Sequence, residues 1–387
     1  MKVSRVEEMR QLDATAIERL GIPDQILMEN AGLASYHVLQ NHVRVRGRRF
    51  AAVCGSGNNG GDGFVVARKL HSNGGDVRIF VVGTIAKMRG AAATNLEIAR
   101  QVGIPIVELD SAASLESELE RCDGIVDAIF GTGLSRPVEG LHAEAIEAMN
   151  RSGKPILSID IPSGVNGESG GVMGVAVEAS VTVTYGLPKL GNLLYPGYAH
   201  GGRLYVTHIS FPPSLYDDSE LKAEINVPAP LEPRSPHGHK GSFGDALFVA
   251  GAGSYYGAPL FSARAFLKAG GGYARLACPA SLASVVAASG PEIVFHPQEE
   301  TPRGTLARGA RDALLELASG VDFLVVGPGL SRDTETAELV RELASHSETP
   351  LLLDGDGLSA VSDATEMLAD RRAPTVLTPH PGEMARL

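Results

Sequence analysis

A glycine-rich stretch at residues 55–63 constrains this chain more than any other part of its sequence. It reads Gly-Ser-Gly-Asn-Asn-Gly-Gly-Asp-Gly, follows an apolar run at 50–54 and precedes an amphipathic run at 64–70. Five glycines in nine positions exceed what a tight strand-to-helix turn requires. The pattern predicts a strand, a loop and a helix whose N-terminal backbone N–H groups can bind phosphate.

The same stretch satisfies the G-x-G-x-x-G pattern of dinucleotide-binding folds. That fingerprint requires an acidic residue at the end of the next strand, whereas the next apolar run, 77–82, is followed by Gly83. The dehydrogenase interpretation is therefore weak. The loop also carries two amides and a carboxylate, Asn58, Asn59 and Asp62, which phosphate binding alone does not need. An N-terminal helix cap is the alternative role for Asp62.

Composition and charge restrict the class of protein. The 387 residues carry a formal charge of −11 without a compensating basic block, so nucleic acid is not an expected partner. Charged residues near the N-terminus argue against a secretory signal, and no run reaches the roughly 18 apolar residues of a membrane helix. We expect a cytoplasmic protein without membrane contact, and the sequence is compatible with a homo-oligomer. Three scattered cysteines in apolar stretches predict buried thiols.

Apolar runs alternate with helical patterns along the whole chain, which predicts parallel sheets covered on both faces. Residues 1–222 are expected to form a Rossmann-like three-layer α/β/α domain, residues 223–239 a proline-rich connector, and residues 240–387 a second α/β domain. The predicted strands of the first domain are 50–54, 77–82, 104–109, 125–130, 156–161, 180–185 and 203–209. Those of the second are 246–250, 274–278, 293–295, 323–326, 350–353 and 375–377.

Polar residues interrupt or follow several of these strands, and parallel strands place their carboxyl ends at one edge. Asp127 and Asp160 lie in strongly apolar runs, where an ionised carboxylate is costly unless a cation or several donors compensate it. The alternative is that one of these two carboxylates is a structural group whose hydrogen bonds are satisfied. Asn59, Asp127 and the Ser163 region supply hard oxygen ligands, which suit an alkali or alkaline-earth cation.

Three motifs, at 55–63, 127–133 and 158–165, together with Met-Glu-Asn-Ala-Gly at 28–32, resemble the NAD(P)H-hydrate epimerase family, also called the YjeF N-terminal domain. The resemblance covers residues 1–215. It implies that Asn59, Asp127 and Ser163 hold a potassium ion and that hydrated NADH or NADPH is the substrate. By the same resemblance, the substrate contacts are Asn58, Asn59, Gly60, Gly61, Asp62, Gly131, Thr132, Gly133, Leu134, Ser135, Arg136, Pro137 and Asp160.

The chemistry of such a substrate fits these residue types. Hydrated NADH carries a hydroxyl on a ring carbon bonded to nitrogen, so inversion requires reversible ring opening or loss and re-addition of water. Either route removes one proton and supplies another. Our hypothesis is that Asp160 is the acid–base group, with Lys189 as a partner. Which group is the acid and which the base stays open at this point.

The second half resembles the ADP- or ATP-dependent NAD(P)H-hydrate dehydratases, which have a ribokinase-like fold. The motifs lie at 239–244, 250–253, 327–330 and 378–383. The resemblance implies that Ala258, Gly329 and His380 contact the hydrated dinucleotide and that ADP or ATP with Mg²⁺ is the cofactor. Residues 354–358 read Asp-Gly-Asp-Gly-Leu, a small departure from the usual Asp-Ala-Asp-Ala-Leu.

A larger departure is that the sequence stops at Leu387, before the family's Lys-Gly segment and Gly-Thr-Gly-Asp turn. We therefore expect an incomplete ribokinase-like domain with exposed apolar surface. We also expect no dehydratase activity from these residues alone, so that dehydration of the S form belongs to the complete parent protein.

A bifunctional nucleotide-repair enzyme is the leading hypothesis. The alternative is a non-catalytic scaffold that binds RNA or proteins through the same N-terminal domain, which the acidic net charge and intact Asn59, Asp127 and Asp160 disfavour. A kinase acting on a vitamin-like alcohol is a third hypothesis, and it lacks a catalytic base without the Gly-Thr-Gly-Asp turn.

Overall fold

Two parallel β-sheets form the framework of two separate units, Met1–Ala229 and Pro230–Leu387. The computed structural model describes residues 1–217, 220–231 and 233–387. Within these ranges no helix combines the length and the apolar character needed to cross a membrane. Cys54, Cys122 and Cys278 are buried and free, as predicted.

The first unit contains a seven-stranded parallel sheet and a short two-stranded one. Its strands in chain order are β1 (Lys2–Val3), β2 (Arg49–Gly55), β3 (Asp76–Val82), β4 (Ile106–Glu108), β5 (Gly124–Ala128), β6 (Ile156–Ile159), β7 (Val181–Tyr185), β8 (Arg203–Thr207) and β9 (Ala223–Glu224). The large sheet has the order β4-β3-β2-β5-β6-β7-β8. Because the chain builds outward from β2 to β4 and then returns to β5 on the other side of β2, the carboxyl ends of β2 and β5 flank a crevice.

Helices cover both faces of this sheet. They are α1 (Val6–Ala14), α2 (Asp24–His42), α3 (Asn58–Ser72), α4 (Gly90–Gln101), α5 (Ala112–Leu119), α6 (Leu141–Arg151), α7 (Leu190–Leu193), α8 (Gly197–His200) and α9 (Pro213–Tyr216), and a π-helical turn at Thr15–Arg19 continues α1. Alternate residues of β2 enter opposite cores: Ala52 and Cys54 pack with α1 to α4, and Ala51 and Val53 pack with α5 and α6. Burial on both faces explains why the strand is apolar throughout.

The second unit repeats this plan with a six-stranded parallel sheet of order β12-β11-β10-β13-β14-β15. The strands are β10 (Asp245–Val249), β11 (Tyr273–Pro279), β12 (Val294–Gln298), β13 (Phe323–Val326), β14 (Leu351–Leu353) and β15 (Thr375–Leu377). The helices are α10 (Gly257–Ala269), α11 (Ala280–Ala287), α12 (Arg311–Ser319), α13 (Thr334–His346), α14 (Asp356–Val361) and α15 (Pro381–Met384). At the β15 edge, Val376 is 46% and Leu377 37% exposed.

The α/β class and all the strands predicted for both halves are confirmed, with differences at their ends. The run 156–161 was predicted as one strand, but β6 stops at Ile159 because Asp160 adopts a left-handed backbone with φ of 65°. The pairing of β1 with β9 was not predicted, since two-residue strands are too short to show a periodic pattern. This pairing joins the start of the stretch 223–239 to the first unit.

Candidate functional site

A cavity of about 590 Å³ opens at the carboxyl ends of β2 and β5 in the first unit. Such a volume is typical of small-molecule sites. Its wall combines α1, the glycine-rich loop, the segment after β5 and the ends of β6 and β7. The polar and charged lining residues are Arg10, Asp13, Asp24, Ser56, Asn58, Asn59, Asp62, Thr132, His142, Asp160, Tyr185 and Lys189.

The glycine-rich loop delivers the N-terminus of α3 to this cavity. Gly57 is the N-cap residue in an extended conformation, and Asn58, Asn59 and Asp62 all line the cavity. Asp62 is the fifth residue of α3 and makes no capping hydrogen bond, so the alternative role of Asp62 as an N-terminal helix cap is wrong. Because α3 begins at Asn58, Asp62 already lies inside the helix, and its carboxyl faces the cavity.

Gly60 and Gly61 are buried and lie outside the cavity lining. A Cβ atom on Gly60 would lie 1.9 Å from the Gly55 carbonyl oxygen, and one on Gly61 would lie 2.6 Å from the Met28 methyl carbon. The two glycines therefore allow the first turn of α3 to pack directly against β2 and α2. Their part in the site is to bring the helix N-terminus close to the strand.

Gly60→Ser is expected to destabilise the first unit by about 1–3 kcal/mol, because the new Cβ would overlap a backbone carbonyl that cannot move freely. Gly57→Ser is the matched control, since its Cβ would have no neighbour within 4 Å and serine is a good N-cap. The free energies can be compared by hydrogen exchange of the β2 amides. Equal protection in the two variants would contradict the packing argument.

Asp160 occupies a strained position at the end of β6. Its backbone N–H donates to the Val183 carbonyl at 2.8 Å, and its own carbonyl accepts from Asn192 Nδ2 at 3.0 Å, which holds the left-handed conformation. Its Oδ1 accepts from Lys189 Nζ at 2.6 Å and Thr184 Oγ1 at 3.0 Å. No hydrogen bond from any described residue reaches Oδ2, so one carboxylate oxygen is left for a ligand in the cavity.

Lys189 is a buried partner of Asp160. Its side chain is 2% exposed, and its ammonium donates to Asp160 Oδ1, to Thr184 Oγ1 at 3.1 Å and to the Tyr185 carbonyl at 3.0 Å. These three bonds use all three N–H groups of the ammonium. Lys189 therefore compensates the charge of Asp160 and fixes its orientation, and it has no N–H left to donate to a ligand.

Asp13 joins this group from α1, and the sequence analysis missed it. Burial raises its pKa to about 6, with a further upward contribution from Asp160 and an opposing one from Lys189. The pKa of Asp62 is also raised, chiefly by burial and then by Asp160 and Asp13. The sequence did contain a signal that Asp13 faces inward. Asp13 shares one helix face with Met9, Leu12 and Ala16, which are all buried.

Asp127 lies behind the cavity wall in β5 and is fully buried. Its carboxylate accepts from Ser158 Oγ at 2.7 Å, Ser163 Oγ at 2.5 Å, Ser163 N at 2.9 Å and Ile129 N at 3.4 Å. Burial still raises its pKa above the ordinary value, and the groups that lower it are these neutral donors. The structure thus brings Asp127 and Ser163 into direct contact.

Asn59 lies beside Asp160 in the wall of the cavity. A Cβ placed on Gly131 would lie 3.0 Å from Asn59 Oδ1 and 3.4 Å from Asp160 Oδ2, so both oxygens approach the same point of the wall. The amide nitrogen of Asn59 is buried without a hydrogen-bond partner. Gly131, Thr132, Gly133 and Leu134 line the cavity. The other predicted substrate contacts of this segment are exposed and do not line the cavity; they are Ser135, Arg136 and Pro137.

A separate cavity of about 500 Å³ lies in the second unit and is lined by Ala258 and Gly329, among others. Gly329 has a φ of 65°, and its Cβ would lie 3.0 Å from that of Ala258. His380 caps α15 by accepting from the backbone N–H groups of Gly382 and Glu383. His380 itself is outside the cavity lining, whereas its neighbour Glu383 lies within it.

Comparison with known proteins agrees with this two-unit organisation. A family model described as YjeF-related protein N-terminus matches residues 24–191, and one described as NAD(P)H-hydrate dehydratase matches residues 246–387. A bifunctional NAD(P)H-hydrate repair enzyme of Thermofilum pendens is 51% identical over 100% of this chain and 74% of its own length. Its counterpart in Moorella thermoacetica is 40% identical over 98% of this chain and 73% of its own length. The chain therefore belongs to the family of bifunctional NAD(P)H-hydrate repair enzymes.

Proposed function

We propose that the first unit epimerises the R and S forms of hydrated NADH and NADPH. The observation that carries this proposal is the unbonded Oδ2 of Asp160, a residue that lines the cavity while Lys189 and Thr184 hold its Oδ1. Strained, buried carboxylates of this kind concentrate at active sites. The second unit is proposed to serve the ADP- or ATP-dependent, Mg²⁺-requiring dehydration of the S form, the repair step of this family.

Asp160 is the proposed acid–base residue. In the ring-opening route its Oδ2 accepts the hydroxyl proton, the ring C–N bond breaks with its electron pair going to nitrogen, the nitrogen takes a proton, and an aldehyde forms. Rotation about the C–C bond next to the aldehyde carbon and the reverse steps then close the ring with the other configuration. Lys189 acts as a positioning residue, because its three N–H groups are already bonded to Asp160, Thr184 and Tyr185.

The N-terminus of α3 and the segment 131–134 are the proposed seat of the dinucleotide. Free backbone N–H groups and the helix dipole favour a phosphate beside Asn58 and Asn59. Burial raises the pKa of Asp62, and a neutral carboxyl does not repel a phosphate. Gly60 and Gly61 allow the first turn of α3 to pack closely against β2 and α2, so we propose that their role in binding is indirect.

The residues around Asn59 also fit a potassium ion. The carboxylate of Asp127 is fully buried with neutral hydrogen-bond donors, and Oδ1 of Asn59 accepts no hydrogen bond from any described residue. Hard oxygen atoms from Asn59, Asp127 and Ser163 form a donor set for an alkali cation. A bound potassium ion would compensate the buried charge and hold the loop beside the substrate.

Potassium is expected to raise the melting temperature of the first unit above its value in choline chloride of equal ionic strength. Asn59→Leu is expected to lose this difference, because the variant lacks the amide oxygen and offers the ion no replacement. Asn58→Leu is the matched control: it is the adjacent asparagine, is exposed, and is not among the proposed ligands. Potassium dependence that persists in Asn59→Leu would remove Asn59 from the proposed set.

The epimerase proposal can be tested with an equilibrated mixture of both hydrate epimers. When a separate S-specific dehydratase is added in excess, we expect this protein to accelerate loss of the R form well beyond its spontaneous rate. Loss of the R form at the spontaneous rate would reject the proposal and favour a binding scaffold. Omitting the added dehydratase and supplying ADP with Mg²⁺ measures the second unit by itself.

A further inference from the structure

The cavity of the first unit contains a carboxyl to which the proposed mechanism has not given a role. Asp13 lines the cavity from α1, and within the described residues its carboxyl has no hydrogen-bond partner. A structural aspartate in a helix is normally solvated, capping or paired. Asp13 is neither a cap nor paired: it is partly buried, lies one residue before the end of α1 and lines the cavity.

The charged surroundings of Asp13 leave it without a counter-ion of its own. It lines the same cavity as Lys189, Asp160 and Asp62, and it interacts electrostatically with all three. The ammonium of Lys189 is fully used by its three acceptors. On the same helix, Arg10 contacts Glu7 at 3.4 Å. The other titratable lining groups are Asp24 at the exposed start of α2, His142 of α6 and Tyr185 of β7.

One lysine can balance one of the three enclosed carboxylates. Asp160 has the direct ion pair, whereas burial raises the pKa of Asp13 to about 6 and that of Asp62 above its ordinary value, which favours their protonated forms. Below a pH of about 6 the cavity therefore combines a carboxylate that has a free oxygen, Asp160, with a protonated carboxyl from α1, Asp13. A reaction that takes a proton at one atom and supplies one at another needs such a pair.

We propose that Asp13 is the second proton-transfer residue of the epimerase, acting as the acid while Asp160 acts as the base. This inference rests on the proposed function of the first unit. Asp62 is the less suitable donor, because it belongs to the second turn of α3, next to the proposed phosphate seat. Asp13 comes from a helix that makes no part of that seat.

Both routes balance with this assignment. In ring opening, the hydroxyl proton passes to Asp160 Oδ2, the C–N bond breaks with its electron pair going to nitrogen, and nitrogen takes the proton of Asp13. Closure on the other face returns both protons. In the elimination route, Asp13 protonates the hydroxyl, which leaves as water, and the Asp160 carboxylate stabilises the cationic ring. Water then adds to the other face and returns a proton to Asp13.

The test is the pH dependence of kcat/KM for epimerisation between pH 5 and 9, measured on the full chain. Since the pKa of Asp13 is about 6, its protonated form is abundant below that pH and declines above it. We expect wild-type kcat/KM to fall as pH rises through this ionisation. Asp13→Asn should lower kcat/KM by about a hundredfold or more and abolish its fall with rising pH. Asp13→Glu should restore part of the rate and part of this pH dependence.

Glu7→Gln is the matched control, because it removes an exposed carboxylate from the same helix and should leave the rate and the profile unchanged. The inference would be overturned if Asp13→Asn kept the wild-type rate and the wild-type pH dependence of kcat/KM. If only Asp62→Asn lost the fall of kcat/KM with rising pH, the acid would be Asp62 instead. If Asp13→Asn does not fold, Asp13→Glu and Asp13→Ser are judged by the same criteria. A wild-type protein without epimerase activity would instead reject the proposed function.

Discussion

Asp160→Asn is expected to lower the epimerase rate by about 10²–10⁴-fold, because an amide cannot accept the substrate proton. It is also expected to destabilise the first unit by about 3–5 kcal/mol, since the buried ammonium of Lys189 loses its counter-charge. Asparagine tolerates the left-handed backbone as well as aspartate does, so the loss comes from charge and not from conformation. Rate assays and hydrogen exchange of the β6 amides measure the two effects.

A second substitution separates the two effects of Asp160→Asn. Lys189→Met leaves the Asp160 carboxylate buried and unpaired, so by itself it should also be strongly destabilising. The double variant removes both charges and should be less destabilised than the sum of the single changes, because the two side chains are in contact. Its activity should remain lost. Full epimerase activity in Asp160→Asn would refute the acid–base assignment, and additive stabilities would refute the pairing.

Asp13→Asn, unlike Asp160→Asn, is expected to stabilise the first unit while still lowering the epimerase rate. The pKa of Asp13 is about 6 in the folded protein against 3.8 for an unperturbed aspartate, so the folded state binds this proton more tightly than the unfolded state. The favourable contribution is complete below pH 4 and is lost as pH rises towards 6. At pH 8 the ionised carboxyl costs about 3 kcal/mol, and an asparagine, which stays neutral, avoids that cost.

The stability gain from Asp13→Asn should therefore be largest at pH 8, smaller at pH 5 and absent below pH 4. Melting curves of the first unit at these pH values measure it, with Glu7→Gln expected to change stability by less than about 0.5 kcal/mol. A substitution that stabilises a protein and impairs its reaction identifies a residue kept for function. A loss of stability at pH 8 would show that the carboxylate of Asp13 has a favourable partner, which contradicts our description of the cavity.

The sequence was sufficient to predict the parallel sheets and the family. A strand buried on both faces must be apolar at consecutive positions, as in β2 and β5, and that pattern is local and readable. The glycine-rich loop was equally informative, since Gly60 has to be small where α3 meets β2. Asp127 and Asp160 were recognisable because a carboxylate among apolar residues needs compensation.

What the tertiary structure decided was how each polar group is satisfied. Neutral donors surround Asp127, whereas Lys189 contacts Asp160 from 29 residues further along the chain. Asp13 has the spacing of a buried position, yet a single carboxylate in a helix looks solvated until the helix is placed over the cavity. Residue types and periodicity are properties of neighbouring positions in the chain. The protonation and orientation of a buried group depend on which distant segments surround it, and only the folded structure specifies that.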